Sequence, residues 1–394
     1  MSIRIIDYES TTAAGLNNAA LRDSINNQAS GLRQNDFDNC DIDTQIGRIS
    51  GVEDITLGEW QSRNNAIAAL GLEQGTIKET LKQLVSQFTA NRIGIAIGSS
   101  TSSIGRTELA YTDLTTDGNL KAEYQQPDVH NPGGPSIFLS YYTGISGPTI
   151  TVNTACSSSA KVFATASRWL QTNIVDAVLV GGVDSLCLSV LYGFNSLQLL
   201  SKNQCRPFDQ NRDGINLGEA CGYAILTRSD VDTGDTGIDL IGYGESSDAH
   251  HMSHPHPEGL GASLALGQAL CSAQISASDI DYINLHGTAS RANDEIEGRL
   301  ISNVFSKETQ CSSTKAITGH TLGAAGIIEA LITVDAMRQN RIPASTNLHQ
   351  LDDALDFSVA KHNISKNIDY ALSNSFGFGG NNCCLAFGKT RPTA

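Results

Sequence analysis

The sequence predicts an α/β protein in which helices cover both faces of a sheet. Two apolar runs, RIGIAIGSS at 92–100 and DAVLVGGVDSL at 176–186, are typical of buried strands. SSSAKVFATASRWLQTN, between them, carries apolar residues at helical spacing. A third strand, IDYINLHGTAS at 280–290, ends in a polar turn and precedes the helical segment NDEIEGRLISNVF. This alternation is the pattern of βαβ units.

The composition is that of a globular protein with room for two domain-sized units. The chain has 394 residues, of which 40% are hydrophobic, so it can bury a large core. The opening residues, MSIRIIDYES, are typical of a first strand and lack the features of a secretion signal. The apolar windows are far shorter than the ~18 residues of a membrane-spanning helix. We therefore expect a cytoplasmic protein that does not insert into membranes.

Cysteine usage and charge argue against several classes of protein. The nine cysteines form no CxxC pair, have no regular spacing and are odd in number. That pattern does not fit a disulfide framework or a zinc ribbon. A net charge of −15 argues against nucleic acid as a partner, because phosphate binding needs a concentrated basic surface. An anionic partner must therefore bind a local basic patch.

Cys156 is a candidate nucleophile because it stands where an apolar helix begins. A helix N-terminus presents unpaired N–H groups and partial positive charge, which favour a thiolate over a thiol. Such a position can lower the pKa of a cysteine from its free value of about 8.5. The small neighbours Ala155, Ser157 and Ser158 leave room for a substrate to reach the sulfur. From these residues alone, a cysteine packed in a helix cap is the alternative.

A second segment echoes the one that carries Cys156. NTACSSSAKVFATASRWLQ and TGHTLGAAGIIEALITVDAM both run from a polar turn through small residues into an apolar helix. His320 stands in the second segment where Cys156 stands in the first, and Lys315 precedes it by five residues. No proline- or serine-rich linker separates the two parts of the chain. We therefore expect them to pack as one body.

Two further motifs contain residue types that binding and catalysis use. His286 ends a strand within LHGTAS, where Gly287 allows a tight turn and Thr288 and Ser290 add hydroxyls. SNSFGFGGNN, at 373–382, alternates phenylalanine with glycine and predicts a mobile loop with bulky apolar side chains. Each motif alone is weak evidence for a functional site. A histidine that ends a strand, for example, is more often structural.

Together these motifs resemble the active-site set of the elongating 3-oxoacyl-[acyl-carrier-protein] synthases, also called β-ketoacyl synthases. RPFDQNRDGINLGEACGYAIL, at 206–226, is similar to another signature of that family. The order and spacing hold over nearly the whole chain, and four separated motifs in order are far more specific than one. The residues that carry the resemblance are Cys156, His286, Lys315, His320 and Phe378.

The resemblance implies a thiolase-like fold. Its two similar α/β halves are related by a pseudo-two-fold axis and packed as five α-β-α-β-α layers. Residues 1–235 would form the half with the nucleophilic cysteine, and residues 236–394 the half with the two histidines, the lysine and the Phe-Gly loop. The family usually forms dimers. The implied assembly is a homodimer, or a heterodimer with a related ketosynthase or chain-length-factor subunit.

The resemblance also implies a decarboxylative Claisen condensation. Cys156 would take an acyl chain from a phosphopantetheine thioester, and decarboxylated malonyl-ACP would attack it to give 3-oxoacyl-ACP. Neutral His286 and His320 would stabilise the negative oxygen that develops. The backbone N–H groups of Cys156 and Phe378 would form the oxyanion hole, and Phe378 would gate the acyl pocket. No cofactor is implied beyond the phosphopantetheine of the acyl carrier protein, which carries the substrates.

Four further residues receive roles by the same resemblance. Lys315 would supply electrostatic order, held by the carboxylate of Glu297 on the helix after LHGTAS. The alternative is that Lys315 and Glu297 are solvated side chains on separate helices and do not pair. Thr288 and Ser290 would bind the phosphopantetheine arm, although the family often has threonine where Ser290 stands.

A histidine-rich loop, DAHHMSHPHPEG at 248–259, raises the question of a metal. A similar histidine-methionine-proline loop lies near the substrate entrance in the family. The four histidines are not spaced as a regular ligand set with acidic or thiolate support, so we predict no metal site. They are His250, His251, His254 and His256.

Other functions on the same fold compete with this interpretation. A thiolase or an initiating synthase primed by acyl-CoA usually replaces one of the two histidines. A non-catalytic chain-length subunit tends to lose the cysteine. Two histidines and Cys156 favour the elongating class, acting alone or as the catalytic partner of a chain-length-factor subunit. The serines of TACSSS and the GEACG stretch depart from housekeeping fatty-acid synthases, which favours a specialised polyketide or aryl-polyene pathway.

Overall fold

The computed structural model describes residues 3–231 and 236–390. Its strands are β1 Ile3–Thr12, β2 Arg33–Gln34, β3 Gln45–Gly47, β4 Ile93–Gly98, β5 Thr149–Val152, β6 Ala177–Asp184, β7 Leu217–Gly218, β8 Ala220–Arg228, β9 Ile238–Ser247, β10 Tyr282–Asn284, β11 Gln310–Ser312, β12 Arg341–Ile342, β13 Ile364–Ser365, β14 Tyr370–Phe376 and β15 Asn381–Lys389. Its helices are α1 Asn18–Asn26, α2 Arg63–Leu72, α3 Ile77–Phe88, α4 Ile104–Thr112, α5 Pro127–His130, α6 Gly134–Thr143, α7 Ser158–Gln171, α8 Leu188–Ser196, α9 Leu260–Ala273, α10 Arg291–Val304, α11 Lys315–Thr318 and α12 Ala325–Gln339.

The main sheet consists of two halves with the same strand order. Across the ten strands the order is β11-β10-β14-β15-β9-β1-β8-β6-β4-β5. Each half contributes five strands, which can be numbered 1 to 5 along the chain: β1, β4, β5, β6 and β8 in the first half, and β9, β10, β11, β14 and β15 in the second. In both halves these strands lie in the sheet in the order 1-5-4-2-3, counted from the junction between the halves. In the described part of the chain, the halves meet at β1 and β9 through two residue pairs, Ile3 with Leu240 and Arg4 with Asp239. This repeated topology confirms the predicted thiolase-like fold.

Three hydrophobic clusters lie between the five layers. The central cluster joins α7 and α12 to the inner faces of both half-sheets. The second packs α2, α3 and α6 on the outer face of the first half-sheet, and the third packs α9 and α10 on that of the second. A helix between two sheets must be apolar all round. Accordingly α12 is buried on nearly every side, whereas α3 buries only Ile77, Leu81 and Leu84.

The elements predicted from periodicity are present with small changes of boundary. The three predicted strands correspond to β4, β6 and β10, and the two predicted helices to α7 and α10. Segment 373–382 was wrongly predicted as a mobile loop. Most of it belongs to β14 and β15, and a hydrogen bond of 2.7 Å from Gly377 N to Asn381 O closes the turn between them.

The predicted boundary between 235 and 236 borders residues 232–235, which lie outside the described residues. β8 and β9, which belong to different half-sheets, flank this boundary. In the described ranges, 3–231 and 236–390, every helix is too short or too polar to span a bilayer.

The two central helices approach closely because small residues line their contact. A Cβ atom at Gly326, in α12, would lie 2.6 Å from the backbone nitrogen of Ala160 in α7. Ile327 N donates a hydrogen bond of 2.8 Å to Ser159 Oγ across the same contact. This close approach holds the start of α7 against the start of α12. Because Cys156 lies just before α7 and His320 just before α12, it also brings these two residues together.

We expect Gly326→Ala to lower the free energy of unfolding by about 1–3 kcal/mol, because the added methyl group overpacks the contact. Gly267, in α9, is the matched control, since a Cβ atom there would meet nothing within 4 Å. Gly267→Ala should be neutral or stabilising by up to ~1 kcal/mol, because alanine is the better helix former. Urea unfolding measures both, and equal effects would contradict the assigned close approach.

Candidate active site

Cys156 lies in a tight turn just before α7. Ala155 has a φ of +52°, a left-handed conformation that is uncommon for a residue with a side chain. Ser158 Oγ donates to Ala155 O at 2.6 Å and accepts from Thr154 N at 2.9 Å. Ser157 Oγ donates to Thr154 O at 2.9 Å. Ser157 and Ser158 of TACSSS therefore bind the turn that presents the sulfur.

His320 faces the sulfur in a defined tautomer. Its Nε2 lies 3.0 Å from Cys156 Sγ, and its Nδ1 accepts a hydrogen bond of 3.2 Å from Leu322 N. A neutral imidazole has one N–H and one lone pair. Because Nδ1 uses its lone pair as an acceptor, Nε2 carries the proton and donates to the sulfur.

His286, at the end of β10, takes the same tautomer by a different contact. Lys315 Nζ lies 3.4 Å from His286 Nδ1, and an ammonium group can only donate. Nε2 of His286 therefore carries the proton as well. The rings of His286 and His320 lie 5.4 Å apart at 88°, and the reactive atoms of Cys156 and both histidines all lie within 4.8 Å of one another. Two N–H donors thus converge beside the sulfur.

Both imidazoles are neutral at physiological pH. Burial lowers the pKa of His286 well below 6.5, and the charge of Lys315 lowers it further. Burial also lowers the pKa of His320 well below 6.5, and the charge of Lys315 lowers it further. A cysteine with two histidines is a donor set that zinc accepts. Here, however, the hydrogen bonds at both Nδ1 atoms leave both Nε2 atoms protonated, without a lone pair for a metal.

The pKa of Cys156 departs from the expectation for a helix N-terminus. Burial raises the pKa of the thiol to about 11. The charge of Lys315 and the backbone N–H groups of Phe378 and Cys156, which lie against the sulfur, oppose that rise without reversing it. Burial therefore outweighs the helix terminus, and the predicted lowering of the pKa is wrong. The resting sulfur is a thiol surrounded by donors that favour its anion.

Lys315 pairs with Glu329 of α12, not with Glu297 as predicted. Its ammonium is buried, binds the Glu329 carboxylate, and donates to His286 O at 2.5 Å. Burial raises the pKa of the Glu329 carboxyl, and the charge of Lys315 opposes that rise. The signal in the sequence was an acid within AAGIIEALITV, because a lone carboxylate in an apolar helix needs a partner.

Glu297 instead holds the turn that carries His286. Its carboxylate accepts the backbone N–H groups of His286 and Gly287, both at 2.8 Å, and the side chain of Asn374 at 3.1 Å. Burial raises the pKa of Glu297 to about 7, against the lowering by these hydrogen bonds. Glu297 is therefore a positioning residue that does not contact the sulfur or the ring nitrogens.

Asp294, one helical turn before Glu297, binds the other part of the same turn. It accepts Thr288 N at 3.0 Å and Ala289 N at 3.1 Å. Motif matching did not identify Asp294. Acids in the first turn of a helix commonly bind free N–H groups, and this was the signal available in the sequence.

A cavity of about 340 Å³ opens at the sulfur. The hydroxyls of Thr288 and Ser290 lie 2.9 Å apart on its wall, and the ring of Phe378 lies 5.5 Å from that of Phe194. Lys315, Glu297 and Glu329 lie behind this wall. The sequence-predicted residues that line the cavity are Cys156, His286, Thr288, Ser290, His320 and Phe378.

A buried cysteine beside two neutral imidazole N–H donors, on a duplicated α/β fold, defines a carbon–carbon condensing enzyme of the thiolase-like class. The family model described as "Beta-ketoacyl synthase, N-terminal domain" matches residues 36–231, and "Beta-ketoacyl synthase, C-terminal domain" matches residues 239–349. The chain belongs to the β-ketoacyl synthase family.

Relatives with known names agree with this assignment. The chain is 33% identical over 322 residues to 3-oxoacyl-[acyl-carrier-protein] synthase 2 of Vibrio harveyi, covering 77% of each chain. It is 33% identical over 321 residues to the enzyme of the same name from Coxiella burnetii, again covering 77% of each.

Solved structures extend the similarity over the full length. The chain superimposes on a chain of the complex between the ketosynthase ApeO and its chain length factor ApeC from Xenorhabdus doucetiae. The TM-score is 0.88 at 35% identity, covering 99% of this chain and 98% of that one. The ishigamide ketosynthase/chain length factor gives a TM-score of 0.90 at 21% identity, covering 99% of both chains, and shares the fold.

We expect alkylation of Cys156 by iodoacetamide to accelerate about tenfold per pH unit between pH 7 and pH 9. The reactive form is the thiolate, whose fraction grows tenfold per unit while the pH is below the raised pKa. Peptide mass spectrometry separates Cys156 from the exposed Cys271, and Cys156→Ser gives the background. A rate that levels off below pH 8 would show that burial does not control this thiol.

Proposed function

We propose that this chain condenses an acyl chain held on Cys156 with malonyl-ACP and releases 3-oxoacyl-ACP and carbon dioxide. The observation that carries the proposal is the convergence of the Cys156 sulfur and a ring nitrogen of each histidine within 4.8 Å of one another. The tautomers of both histidines favour donation of hydrogen bonds over acceptance of protons. Such a site suits a reaction in which negative charge develops on oxygen.

In the first half-reaction, Cys156 Sγ attacks the thioester carbonyl of an acyl phosphopantetheine. The new carbon–sulfur bond replaces the one to the carrier, which leaves as a free thiol with the proton that Cys156 gives up. The N–H groups of Cys156 and Phe378 lie against the sulfur, so they are placed to bind the oxyanion formed there. The acyl chain then extends into the cavity.

In the second half-reaction, malonyl-ACP loses its carboxylate as carbon dioxide. The electron pair of the broken bond passes to the thioester as an enolate, whose oxygen accepts hydrogen bonds from His286 and His320. Its carbon attacks the acyl group on Cys156, and the sulfur leaves as a thiolate that takes up a proton from water. Neutral imidazoles suit this step, because they stabilise the oxygen without protonating the carbanion equivalent.

Further roles follow from the contacts around the site. Lys315, neutralised by Glu329, holds His286 in its donor tautomer, and Glu297 fixes the backbone beneath it. Thr288 and Ser290, on the cavity wall, are placed to bind the phosphopantetheine arm. We propose that no resident cofactor is needed, because side chains supply the nucleophile and both donors.

A second subunit is expected at the free edge of the sheet. Within residues 3–231 and 236–390, β4 is the one strand that pairs with β5, so the outer edge of β5 offers unpaired backbone groups. Ile150, on β5, is 40% exposed, and Tyr141, on the neighbouring α6, is 65% exposed. Exposed apolar side chains beside an open sheet edge are typical of interfaces between proteins. We propose that a ketosynthase-like subunit covers this edge, either a second copy or a chain-length-factor relative.

The pathway is a separate proposal from the reaction. The chain is 35% identical to a chain of the complex between the ketosynthase ApeO and its chain length factor ApeC. On this similarity we propose a specialised polyketide or polyene pathway with a chain-length-factor partner, in preference to primary fatty-acid synthesis. All nine cysteines lie in the described part of the chain and are free thiols, which fits the reducing cytoplasm we propose as the location.

We expect His286→Ala and His320→Ala to keep acyl transfer to Cys156 but to slow malonyl decarboxylation by about 10²- to 10³-fold, because each removes one donor to the enolate. The protein is first loaded from a panel of acyl-ACPs, and intact mass identifies the acyl groups accepted. Malonyl-ACP is then added, and carbon dioxide release is followed.

Cys156→Ala is the control and should carry no acyl adduct. Adducts that persist in it would contradict the nucleophile assignment. Normal carbon dioxide release from either histidine variant would contradict the two-donor scheme.

We expect Tyr141→Glu to disrupt the subunit contact, because it places a charge in an apolar interface. Light scattering should give a dimer mass for the purified chain and a monomer mass for the variant. A chain that dimerises only with a related subunit would identify a heterodimer. Ile174→Glu is the control, since Ile174 is 48% exposed on the turn after α7. A dimer that survives Tyr141→Glu but not Ile174→Glu would place the interface elsewhere.

A further inference from the structure

The donor tautomer of His320 depends on the backbone of the turn that follows it. Leu322 N donates the hydrogen bond of 3.2 Å that occupies Nδ1 of His320. Leu322 has a φ of +55°, a left-handed conformation that is unfavourable for a residue with a side chain. Such a conformation persists only where the surrounding structure imposes it. The contacts that fix this turn therefore also fix the proton on His320.

The start of the turn is fixed by the backbone of the first half. His320 N donates to Asn216 O at 2.7 Å, and Gly218 N donates to His320 O at 3.0 Å. These two bonds hold the backbone of His320 itself. They leave the direction of Leu322 N to the contacts at the other end of the turn.

The end of the turn is held by Asp184, the last residue of β6. Its Oδ2 accepts a hydrogen bond of 3.2 Å from Ala324 N, two residues after Leu322. Ala324 is the residue from which α12 begins. The bond therefore ties the half that carries Cys156 to the start of the helix that follows His320.

The same carboxylate also holds the turn after β4. This turn packs closely on the one that carries His320, since a Cβ atom at Gly323 would lie 2.5 Å from Ser100 N. Asp184 therefore binds both sides of a close contact between two backbones. Its donors in the turn after β4, all to Oδ1, are Ser99 Oγ at 2.7 Å, Ser100 N at 3.0 Å, Thr101 N at 2.8 Å and Thr101 Oγ1 at 2.6 Å.

Asp184 reaches His320 through the backbone and not through its charge. It is fully buried, and its carboxylate accepts backbone N–H groups and hydroxyls. Burial raises the pKa of this carboxyl, and the hydrogen bonds from Thr101 and its neighbours oppose the rise. The pKa of His320, by contrast, is lowered by burial and then by the charge of Lys315. The influence of Asp184 on the imidazole is therefore one of position.

We propose that Asp184 is a positioning residue for His320, because its bond to Ala324 N fixes the turn in which Leu322 N sets the donor tautomer. The role deepens the proposed function and rests on it, since a donor at Nε2 serves catalysis only where negative charge develops on the substrate. Asp184 itself does not contact the sulfur or the imidazole rings.

Asp184→Asn breaks the bond to the His320 turn selectively. Asparagine has one acceptor oxygen and one donor nitrogen where aspartate has two acceptor oxygens. Oδ1 of Asp184 receives four of the five donors, so the amide oxygen takes that place. The NH2 group then faces Ala324 N–H, and two donors cannot bond to each other. The variant keeps its bonds to the turn after β4 and should therefore fold.

The tautomer is measured by 15N NMR of histidine-labelled protein, in which protonated and unprotonated ring nitrogens have distinct shifts. His320→Ala identifies the signals of His320 by their loss. In Asp184→Asn we expect the Nδ1 signal to move towards that of an unbonded nitrogen. The share of the Nδ1–H form should rise about fivefold, as the loss of one hydrogen bond implies. Unchanged signals of His320 would overturn the proposal.

Ala324→Pro tests the same bond from the other side and decides the matter if Asp184→Asn does not fold. The φ of Ala324 is −79°, which suits proline at the start of a helix. Gly323, which precedes it, has no Cβ atom to clash with the ring. The variant also removes the bond from Ala324 N to Thr321 O. It should change the His320 signals as Asp184→Asn does, and unchanged signals would contradict the proposal.

Thr101→Val is the matched control. It removes a hydroxyl that donates to the same carboxylate, but it leaves the bond to Ala324 N in place. Its side chain has nearly the volume of threonine, so we expect some loss of stability and no change in the signals of His320. An equal change of those signals in Thr101→Val would show general loosening around Asp184 and would refute a specific positioning role.

Activity separates the two half-reactions. In Asp184→Asn, carbon dioxide release from malonyl-ACP should fall by roughly tenfold or more, because misplacing a catalytic group by about 1 Å can cost about 10²-fold. Acyl transfer to Cys156 should continue as in the wild type. An equal loss in both steps would contradict the assignment to His320. If the wild type itself releases no carbon dioxide, the proposed function fails, and the NMR measurement still decides whether Asp184 positions His320.

Discussion

The chemistry of this protein depends on two hydrogen bonds that fix which nitrogen of each histidine carries a proton. Leu322 N donates to Nδ1 of His320, and Lys315 donates to Nδ1 of His286. Each contact makes the other ring nitrogen a donor, as the proposed stabilisation of the enolate requires. With the opposite tautomers, the same three side chains would present two lone pairs to an enolate and repel it. The positions of the histidines alone therefore do not determine the reaction.

The buried ion pair behind the histidines follows from this requirement. An ammonium is the surest donor to an imidazole lone pair because it cannot accept, but burying it alone costs far more than the contact contributes. Glu329 provides the opposite charge from the central helix α12. After burial, the charge of Lys315 also lowers the pKa of His286, and it opposes the rise in the pKa of Cys156, to which the charge of Glu329 adds. One arrangement thus supports the donors and the nucleophile.

Motifs identified the residues that line the cavity because close contact with a substrate restricts both residue type and spacing. The same reasoning found the repeated halves, since α7 and α12 must both be apolar and begin with small residues. It assigned Lys315 to the wrong carboxylate, because α12 has the sequence of an ordinary core helix. Glu329, the one acid of that helix near the site, was therefore not considered as a partner. It also missed the direction of the pKa shift at Cys156, since burial depends on packing between segments far apart in the sequence.

The narrow junction between the half-sheets has a consequence for how the enzyme becomes active. Among the residues that the structure describes, β1 and β9 share two residue pairs, so the junction is held chiefly by the central helices, whose starts lie beside the reactive sulfur. The first half alone would carry the thiol without the two hydrogen-bond donors, and the second half would carry the donors without a nucleophile. The catalytic set therefore exists only when both halves have folded against each other.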